Sequence, residues 1–408
     1  MAIRSSLFRA KGLSERERKN LAILEAIKRG GPITRSEISK VTGLNIVTVT
    51  NYINGFIGKG LVLEKGLDVS GGGRKPGLVE LNAKAGFVIG IDLGVMGIAK
   101  VPMIALLTDL ATHVEVKVKK ERPSEDMEKV IARSTDLIQE VLKRSKVKPA
   151  DVNGLGLGIS GVIDEKAGTI RDSTWGGITS SYAAIKNSIE QKFGITTFIG
   201  NDATIAAFGE KDIGFGKDVE DMVYMYSDFG CGIVINGEIY CGVTGSAGEL
   251  GLNVSEEDLA WFQTHPFLRP GEVDLGIPIK ARKALEAGVR SKISTLVEGD
   301  LGQITTTVIV RAAKKGDKLA MELIEDAGVN LGIRVAYLIN LFNPEVVVIG
   351  GGIEEAGALL FDSVRKTVRR CAFEEAASTA KIVPARLGED SVALGAASIV
   401  IREVFAQA

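Results

Sequence analysis

The stretch from Gly31 to Leu81 constrains the fold more than any other part of this chain. It holds two short helix patterns joined at one glycine, then two strand patterns flanking a basic, glycine-rich tip. Ahead of it, Ser14 to Arg29 reads as a helix with Ile23, Leu24 and Ile27 on one face. Gly30-Gly31-Pro32 ends that helix. Thr34 reads as an N-cap, and Glu37 three positions on completes a capping box. The second helix runs from Arg35 to Val41 and is expected to bury Ile38 and Val41. Gly43 stands where a tight helix-to-helix turn needs a left-handed residue. Asn45 caps the third helix, whose Val49 and Ile53 point to the core.

Val47, Thr48, Thr50 and Asn51 face outward on that third helix, short enough to reach base edges in a major groove. With Arg35 and Asn45 they form the expected DNA-reading set. A merely solvated Thr/Asn face is the plainer alternative, and the next segment argues against it. Gly60 to Glu64 and Val79 to Asn82 read as strands around Ser70-Gly71-Gly72-Gly73-Arg74-Lys75-Pro76-Gly77. The glycines let the backbone approach a partner and Pro76 keeps the tip extended. Arg74 and Lys75 are then expected to enter a minor groove or meet phosphates. The pattern is that of a winged helix-turn-helix bound to double-stranded DNA.

Charge supports this division. Residues 1–85 carry 15 Lys+Arg against 7 Asp+Glu, a balance of +8, whereas the remainder carries 35 against 44, a balance of −9. A basic head on an acidic body suggests that the head alone meets a polyanion. At 408 residues two or three domains are expected. No apolar run approaches the ~20 residues that span a bilayer, and the first residues lack a signal-peptide pattern. A cytoplasmic protein is expected. Cys231, Cys241 and Cys371 are too sparse for a disulfide framework or zinc site, and are expected as reduced, mostly buried thiols. Only His113 and His265 are present, so no His-based metal site is expected.

In the body, Phe87 to Gly94 is an apolar strand ending in Asp92-Leu93-Gly94, with Val101 to Leu110 as its hairpin partner. Helix and strand patterns then alternate: a helix from Met127 to Arg144, a strand at Gly154 to Ile159, a helix from Tyr182 to Phe193. Thr197 to Gly200 is a strand leading into Asn201-Asp202. A glycine-rich hairpin spans Tyr224 to Tyr240, and a helix from Gly328 to Phe342 feeds the apolar strand before Gly350-Gly351-Gly352. Two α/β lobes around a cleft explain this order, with strand-end glycines marking the ligand sites.

These motifs together resemble the ROK family of repressors and sugar kinases, of the actin/hexokinase-like fold, over nearly the whole chain. The Gly-Gly-Arg-Lys-Pro tip is similar to that of the family's repressor branch. Asp92-Leu93-Gly94 resembles its first phosphate loop, Gly158-Ile159-Ser160-Gly161 its Gly-x-x-Gly turn, and Asn201-Asp202-Ala203-Thr204 its sugar and catalytic motif. Gly230 to Gly237 resembles the second phosphate hairpin, Ala247-Gly248-Glu249-Leu250-Gly251 the sugar-contacting turn, and Gly350-Gly351-Gly352 the adenosine turn. The resemblance implies that Asn201, Asp202, Glu249 and Gly161 bind a sugar or derivative. Asp202 would be the base in a kinase. A buried amide or carboxylate left unpaired costs about 1–3 kcal/mol, which suits a hydroxyl-rich ligand. The plainer reading makes Asn201-Asp202 a helix cap and Glu249 a loop charge.

Departures from the family's kinases set the expected function. A kinase loop reads Asp-x-Gly-Gly-Thr-Lys, whereas this chain has Val95-Met96-Gly97. The second loop reads Tyr226-Ser227-Asp228-Phe229-Gly230 in place of Gly-Thr-Gly-x-Gly. At ~4 Å and an effective dielectric of ~20, the Asp228 carboxylate opposes a phosphate by about 4 kcal/mol. The family's zinc site is missing too, with Leu252 at the histidine position and no cysteine from Asn253 to Pro278. Trp261, Phe262 and His265 occupy that segment, as core or as a stacking surface.

The expected fold is therefore α/β, an N-terminal winged helix domain plus a two-lobed actin/hexokinase-like (ROK) body. The boundaries are a head over 1–85, a small lobe over 86–205 with a C-terminal helix 391–408 packing back, and a large lobe over 206–390. The expected function is a sugar-controlled transcriptional regulator, a homodimer or homotetramer, with no cofactor, no metal, no membrane partner and no catalytic residue. The alternative is an ATP-dependent sugar kinase with a regulatory head, and a third possibility is a repressor released by a partner protein.

Overall fold

Capping decides where the head's helices begin. In the computed structural model, which describes residues 12–67, 77–94, 102–123, 127–164, 169–171, 179–215, 219–226, 230–250 and 276–408, α1 (Glu15–Gly30) starts at a capping box. There the Ser14 N–H donates to Glu17 Oε2 at 2.7 Å and the Glu17 N–H to Ser14 Oγ at 3.3 Å. A second box at Thr34 and Glu37 opens α2 (Arg35–Thr42) directly after the short strand β1 (Ile33–Thr34). Gly43 reverses the chain in the left-handed region, at φ 70°, where a side chain would be strained. Helix α3 (Ile46–Gly58) follows, with the Thr48 N–H donating to Asn45 Oδ1 at 2.8 Å. Strands β2 (Val62–Leu67) and β3 (Gly77–Leu81) complete an antiparallel sheet in the order β1-β3-β2.

Ile23, Leu24, Ile27, Ile38, Val49 and Ile53 are all fully buried in the head. Val41 corrects the sequence reading, since it is 60% exposed. Val41 lies in the last turn beside the Gly43 reversal, where nothing covers it.

The chain divides into two compact units. The first comprises 1–170, 180–205 and 392–408; the second comprises 171–179 and 206–391. In the first unit, the head is joined by a five-stranded sheet. Its strands are β4 (Phe87–Asp92), β5 (Pro102–Asp109), β6 (Val114–Glu121), β7 (Val152–Ile159) and β8 (Thr197–Asn201), in the order β8-β7-β4-β5-β6. The β7 sequence alternates glycine with leucine, and the period of two assigns each type to one face. Leu155 and Leu157 join Ile89 and Ile91 in a core with Leu137 and Ile138 of α4 (Met127–Ser145) and Ile185 and Ile189 of α5 (Tyr182–Phe193). The glycine face takes the C-terminal helix. A Cβ on Gly90 would stand 1.9 Å from the Ala393 carbonyl oxygen, and one on Gly156 2.3 Å from that of Ala396.

The end of the chain also grips the head. Asn20, 2% exposed, donates through Nδ2 to the Ala406 carbonyl at 2.9 Å. Lys59 Nζ donates to the Ala408 carbonyl at 2.6 Å, and Arg402 pairs with Glu25 at 3.3 Å.

The second unit is built on a sheet of β9 (Met222–Tyr226), β10 (Gly230–Ile235), β11 (Glu238–Ile239), β12 (Val346–Gly350) and β13 (Lys381–Pro384), ordered β11-β10-β9-β12-β13. Helices α7 (Ile277–Glu286), α8 (Thr306–Lys314), α9 (Lys318–Phe342), α10 (Ala358–Cys371) and α11 (Glu374–Thr379) accompany it. Helix α9 begins ten residues before Gly328, where the sequence reading placed its start, because Asp317 caps it by accepting from the Ala320 N–H at 2.9 Å. Gly328 and Gly332 sit inside it without breaking it. A Cβ at either would lie 2.6 Å from the Cβ of Ser363 or Thr367, so both glycines permit close packing on α10. The last helix, α12 (Ser391–Ala406), is the one that lies on the glycine face of the first unit's sheet.

Candidate functional site

At the end of β4, Asp92 is 6% exposed and its Oδ1 accepts from the Gly94 N–H at 2.8 Å. Beneath this turn lies Arg122, 7% exposed, whose Nη1 donates to the carbonyls of Leu93 at 2.8 Å and Gly94 at 2.9 Å. Sequence reasoning missed Arg122, because a lone arginine after a strand carries no local signature. Val95-Met96-Gly97 lies outside the described residues.

Asn201 closes β8 and spans two segments. Its Nδ2 donates to the Gly161 carbonyl at 3.2 Å, while its Oδ1 accepts from the Thr204 N–H at 3.0 Å. Gly161 adopts φ 106°, a region that glycine alone enters readily. Asp202 opens helix α6 (Asp202–Gly209); it is 6% exposed, and its Oδ1 accepts from the Ala203 N–H at 2.7 Å. An acidic side chain in a first helical turn complements the unpaired N–H groups there. Asn201, Asp202 and Gly161 are thus brought together by β8, α6 and the turn after β7. The helix-capping bonds of the plainer reading are present alongside this clustering.

In the second unit, the turn bearing Glu249 is pinned to β10. The Cys231 N–H donates to the Gly248 carbonyl at 2.9 Å, and Gly230 bridges Glu249. Gly248 has φ 97°, and a Cβ there would stand 1.8 Å from the Cys231 carbonyl oxygen. Glu249 itself is half-buried. Burial, with a smaller contribution from the Glu249 charge, pushes the Cys231 thiol up to about 12, so it stays protonated. Cys231 is buried as expected, but Cys241 and Cys371 are only half-buried.

Two buried carboxylates in this unit also escaped the sequence reading. Glu354 follows the Gly350-Gly351-Gly352 turn and accepts from the Gly352 N–H at 2.7 Å through Oε2. Burial above all, then the charges of Glu355 and Glu210, push its carboxyl up to about 7. Glu210 is fully buried at the start of the π-turn Glu210–Phe215. It accepts from the Leu387 N–H at 2.9 Å, the Arg386 N–H at 3.1 Å and Ser391 Oγ at 3.2 Å, and burial raises its pKa. The sequence signal was weak: Glu354 is followed by Glu355, and Glu210 by Lys211 and Asp212, so each reads as part of a solvated charged run.

The α3 residues that the sequence reading assigned to DNA are exposed or half-buried. Val47 is 66% exposed, with Asn51 exposed and Thr48 and Thr50 half-buried. Asn45 and Arg35 have structural partners. Asn45 Oδ1 serves as the α3 cap, and Arg35 Nη2 pairs with Glu64 at 2.9 Å. Arg74 and Lys75 lie outside the described residues, as do Asp228, Leu252, Trp261, Phe262 and His265.

The ROK family model matches residues 88–403. The xylose repressor of Caldicellulosiruptor bescii is 30% identical over 391 residues, which cover 94% of this chain and 95% of that protein. Among solved structures, a ROK family transcriptional regulator homologous to the E. coli Mlc protein superposes with a TM-score of 0.71 at 22% identity, covering 96% of this chain and 97% of that one. A ROK family glucokinase from Streptomyces griseus, in complex with glucose and AMPPNP, gives a TM-score of 0.62 at 24% identity, covering 77% of this chain and 99% of that one. Both structural likenesses concern the fold. Among the described residues no helix is long and apolar enough to cross a membrane.

Proposed function

Because this chain belongs to the ROK family, we propose that it is a DNA-binding transcriptional repressor of carbohydrate-related genes, controlled by a sugar or sugar derivative. The observation that carries this reading is coverage. The repressor relative aligns over 94% of the chain, whereas the glucokinase structure covers only 77% and the family model begins at residue 88. What a kinase does not need is the head over residues 1–85, with its reading helix and its basic wing sequence.

Val47, Thr48, Thr50 and Asn51 are the residues we assign to the major groove, with Arg35 and Asn45 at its edge and Arg74 and Lys75 on the minor groove or phosphates. Asn201, Asp202, Gly161 and Glu249 are assigned to the sugar. The body divides into a small lobe over 86–205 with 391–408 and a large lobe over 206–390. Two copies place two heads on half-sites of a pseudo-palindrome. The ligand acts by binding the released head spacing more tightly than the DNA-bound one, since equal affinity shifts nothing.

The test is binding to the DNA upstream of the chain's own gene, followed by fluorescence anisotropy, with a panel of sugars and sugar phosphates. Saturable binding released by one sugar is the expected outcome. Absence of sequence-specific binding at every salt concentration overturns the reading. The kinase alternative is favoured by the shared fold alone and opposed by Val95-Met96-Gly97 and Asp228. Sustained sugar-dependent ATP turnover, abolished by Asp202→Asn, would establish it.

A further inference from the structure

Among the described residues of the head, the exposed large apolar side chains are Val41, Ile46, Val47 and Leu63, at 60%, 45%, 66% and 41%. The first three border the Gly43 reversal or lie in the first turn of α3. Apolar side chains scattered singly over a surface need no explanation, but a cluster of them marks a place that a partner covers. The helix period says which side chains of α3 look away from the core. At about 100° per residue, Val47, Asn51 and Asn54 fall within about 60° of one another. Val49, Ile53 and Phe56 occupy the opposite side, and all three are buried. Asn51 and Asn54 are exposed, like Val47.

What α3 lacks is as informative as what it presents. No Lys, Arg, Asp or Glu occurs from Ile46 to Gly58. In a major groove, guanine O6 and N7 are read chiefly by Arg or Lys, and cytosine N4 by a carboxylate. The thymine methyl takes an apolar side chain, and adenine N6 and N7 take an amide. The outward line of α3 carries only the second pair of chemistries. Its hydroxyls do not change this, because Thr50 Oγ1 donates to the Ile46 carbonyl at 2.8 Å and Thr48 lies off the line. Arg35, at the start of α2, is held by Glu64 at 2.9 Å.

We infer that α3 selects A·T pairs, with Val47 packed on a thymine C5-methyl and Asn51 and Asn54 each paired with an adenine edge. This rests on the repressor reading, since it names the bases that the head of such a repressor prefers. Val41 and Ile46, at the same end of α3, extend the apolar surface that meets the methyl groups. The basic balance of the head, +8 over residues 1–85, fits a nucleic acid as the covering partner. From Val47 to Asn54 the helix rises about 10 Å, or about three base-pair steps. Each half-site therefore holds a stretch of about three A·T pairs under α3.

The test uses the full chain and the DNA upstream of its own gene, with the bound site located by footprinting. Each thymine of that site is replaced singly by deoxyuridine, which keeps the base pair and removes only the C5-methyl. At a thymine under α3 this is expected to raise the wild-type Kd about fourfold and to leave the Kd of Val47→Ala unchanged. Single replacement of adenine by 7-deazaadenine, which lacks the N7 acceptor, is expected to raise the wild-type Kd about tenfold at two positions per half-site. One of the two is expected to be silent in Asn51→Ala and the other in Asn54→Ala. All three substitutions fall at exposed positions, and each variant is expected to keep the wild-type melting temperature. A specific site at which no thymine methyl matters, or at which the methyl effects persist undiminished in Val47→Ala, overturns the inference and leaves the repressor reading standing. If no DNA is bound specifically, both fall.

Discussion

Replacing Glu354 by glutamine isolates the electrostatic consequence of burying a carboxylate under the Gly350-Gly351-Gly352 turn. In the folded chain this carboxyl is pushed from 4.5 up to about 7, chiefly by burial and then by the Glu355 and Glu210 charges. The sign follows from proton counting. Between these two values the folded state holds a proton that the unfolded state has released, so stability falls as pH rises from about 4.5 through about 7. Above that range the penalty is complete and, at 1.36 kcal/mol per pH unit, amounts to about 3 kcal/mol. Glutamine keeps an acceptor for the Gly352 N–H and cannot ionise. Glu354→Gln is therefore expected to be about neutral at pH 5 and more stable than wild type by about 3 kcal/mol at pH 8. Urea unfolding of both proteins across this range, with tryptophan fluorescence and circular dichroism as readouts, measures the difference. A difference between variant and wild type that stays constant from pH 5 to pH 8 would refute the reasoning, because it would mean that Glu354 titrates alike in folded and unfolded chains.

Other consequences follow from the head and from the residues assigned to the sugar. Asn20→Ala leaves the buried Ala406 carbonyl without its 2.9 Å donor, a loss expected to cost about 1–3 kcal/mol and to raise amide exchange in α1; unchanged exchange would show that the grip of the chain's end on the head is weak. Gly43→Val forces a β-branched side chain to φ 70° and is expected to destabilise the head by about 1–2 kcal/mol in thermal unfolding. Asn51→Ala is expected to weaken specific DNA binding by about 1–3 kcal/mol with no change in melting temperature, while Arg74→Ala lowers the salt slope of binding by about one. Asn201→Ala is expected to abolish release by the active sugar while leaving DNA affinity in its absence within twofold; release by the same sugar concentration as wild type would remove Asn201 from the ligand site.

Most of the head was legible from the sequence because its signals act over three or four residues. Thr34 with Glu37, Asn45 with Thr48, and Gly43 each satisfy or redirect backbone groups within one turn, so no distant part of the chain has to be known. The Gly-Leu alternation of β7 likewise states that one face is bare and the other apolar. Other outcomes needed the tertiary structure. Which element lies on the bare face is one, since Ala393 and Ala396 approach glycines more than 200 residues earlier. The exposure of Val41 is another: it depends on what the fold places over the end of α2 and not on its helical position. The buried charges are the clearest case. Glu210 is stabilised by N–H groups of Arg386 and Leu387, and Arg122 by the carbonyls of Leu93 and Gly94. Hydrogen-bonding partners so far apart in sequence become neighbours only when the chain folds. Local chemistry therefore determined the elements and the order of the motifs. Packing alone decided which polar side chains leave water, because the cost of burying them is met by groups that folding brings from elsewhere.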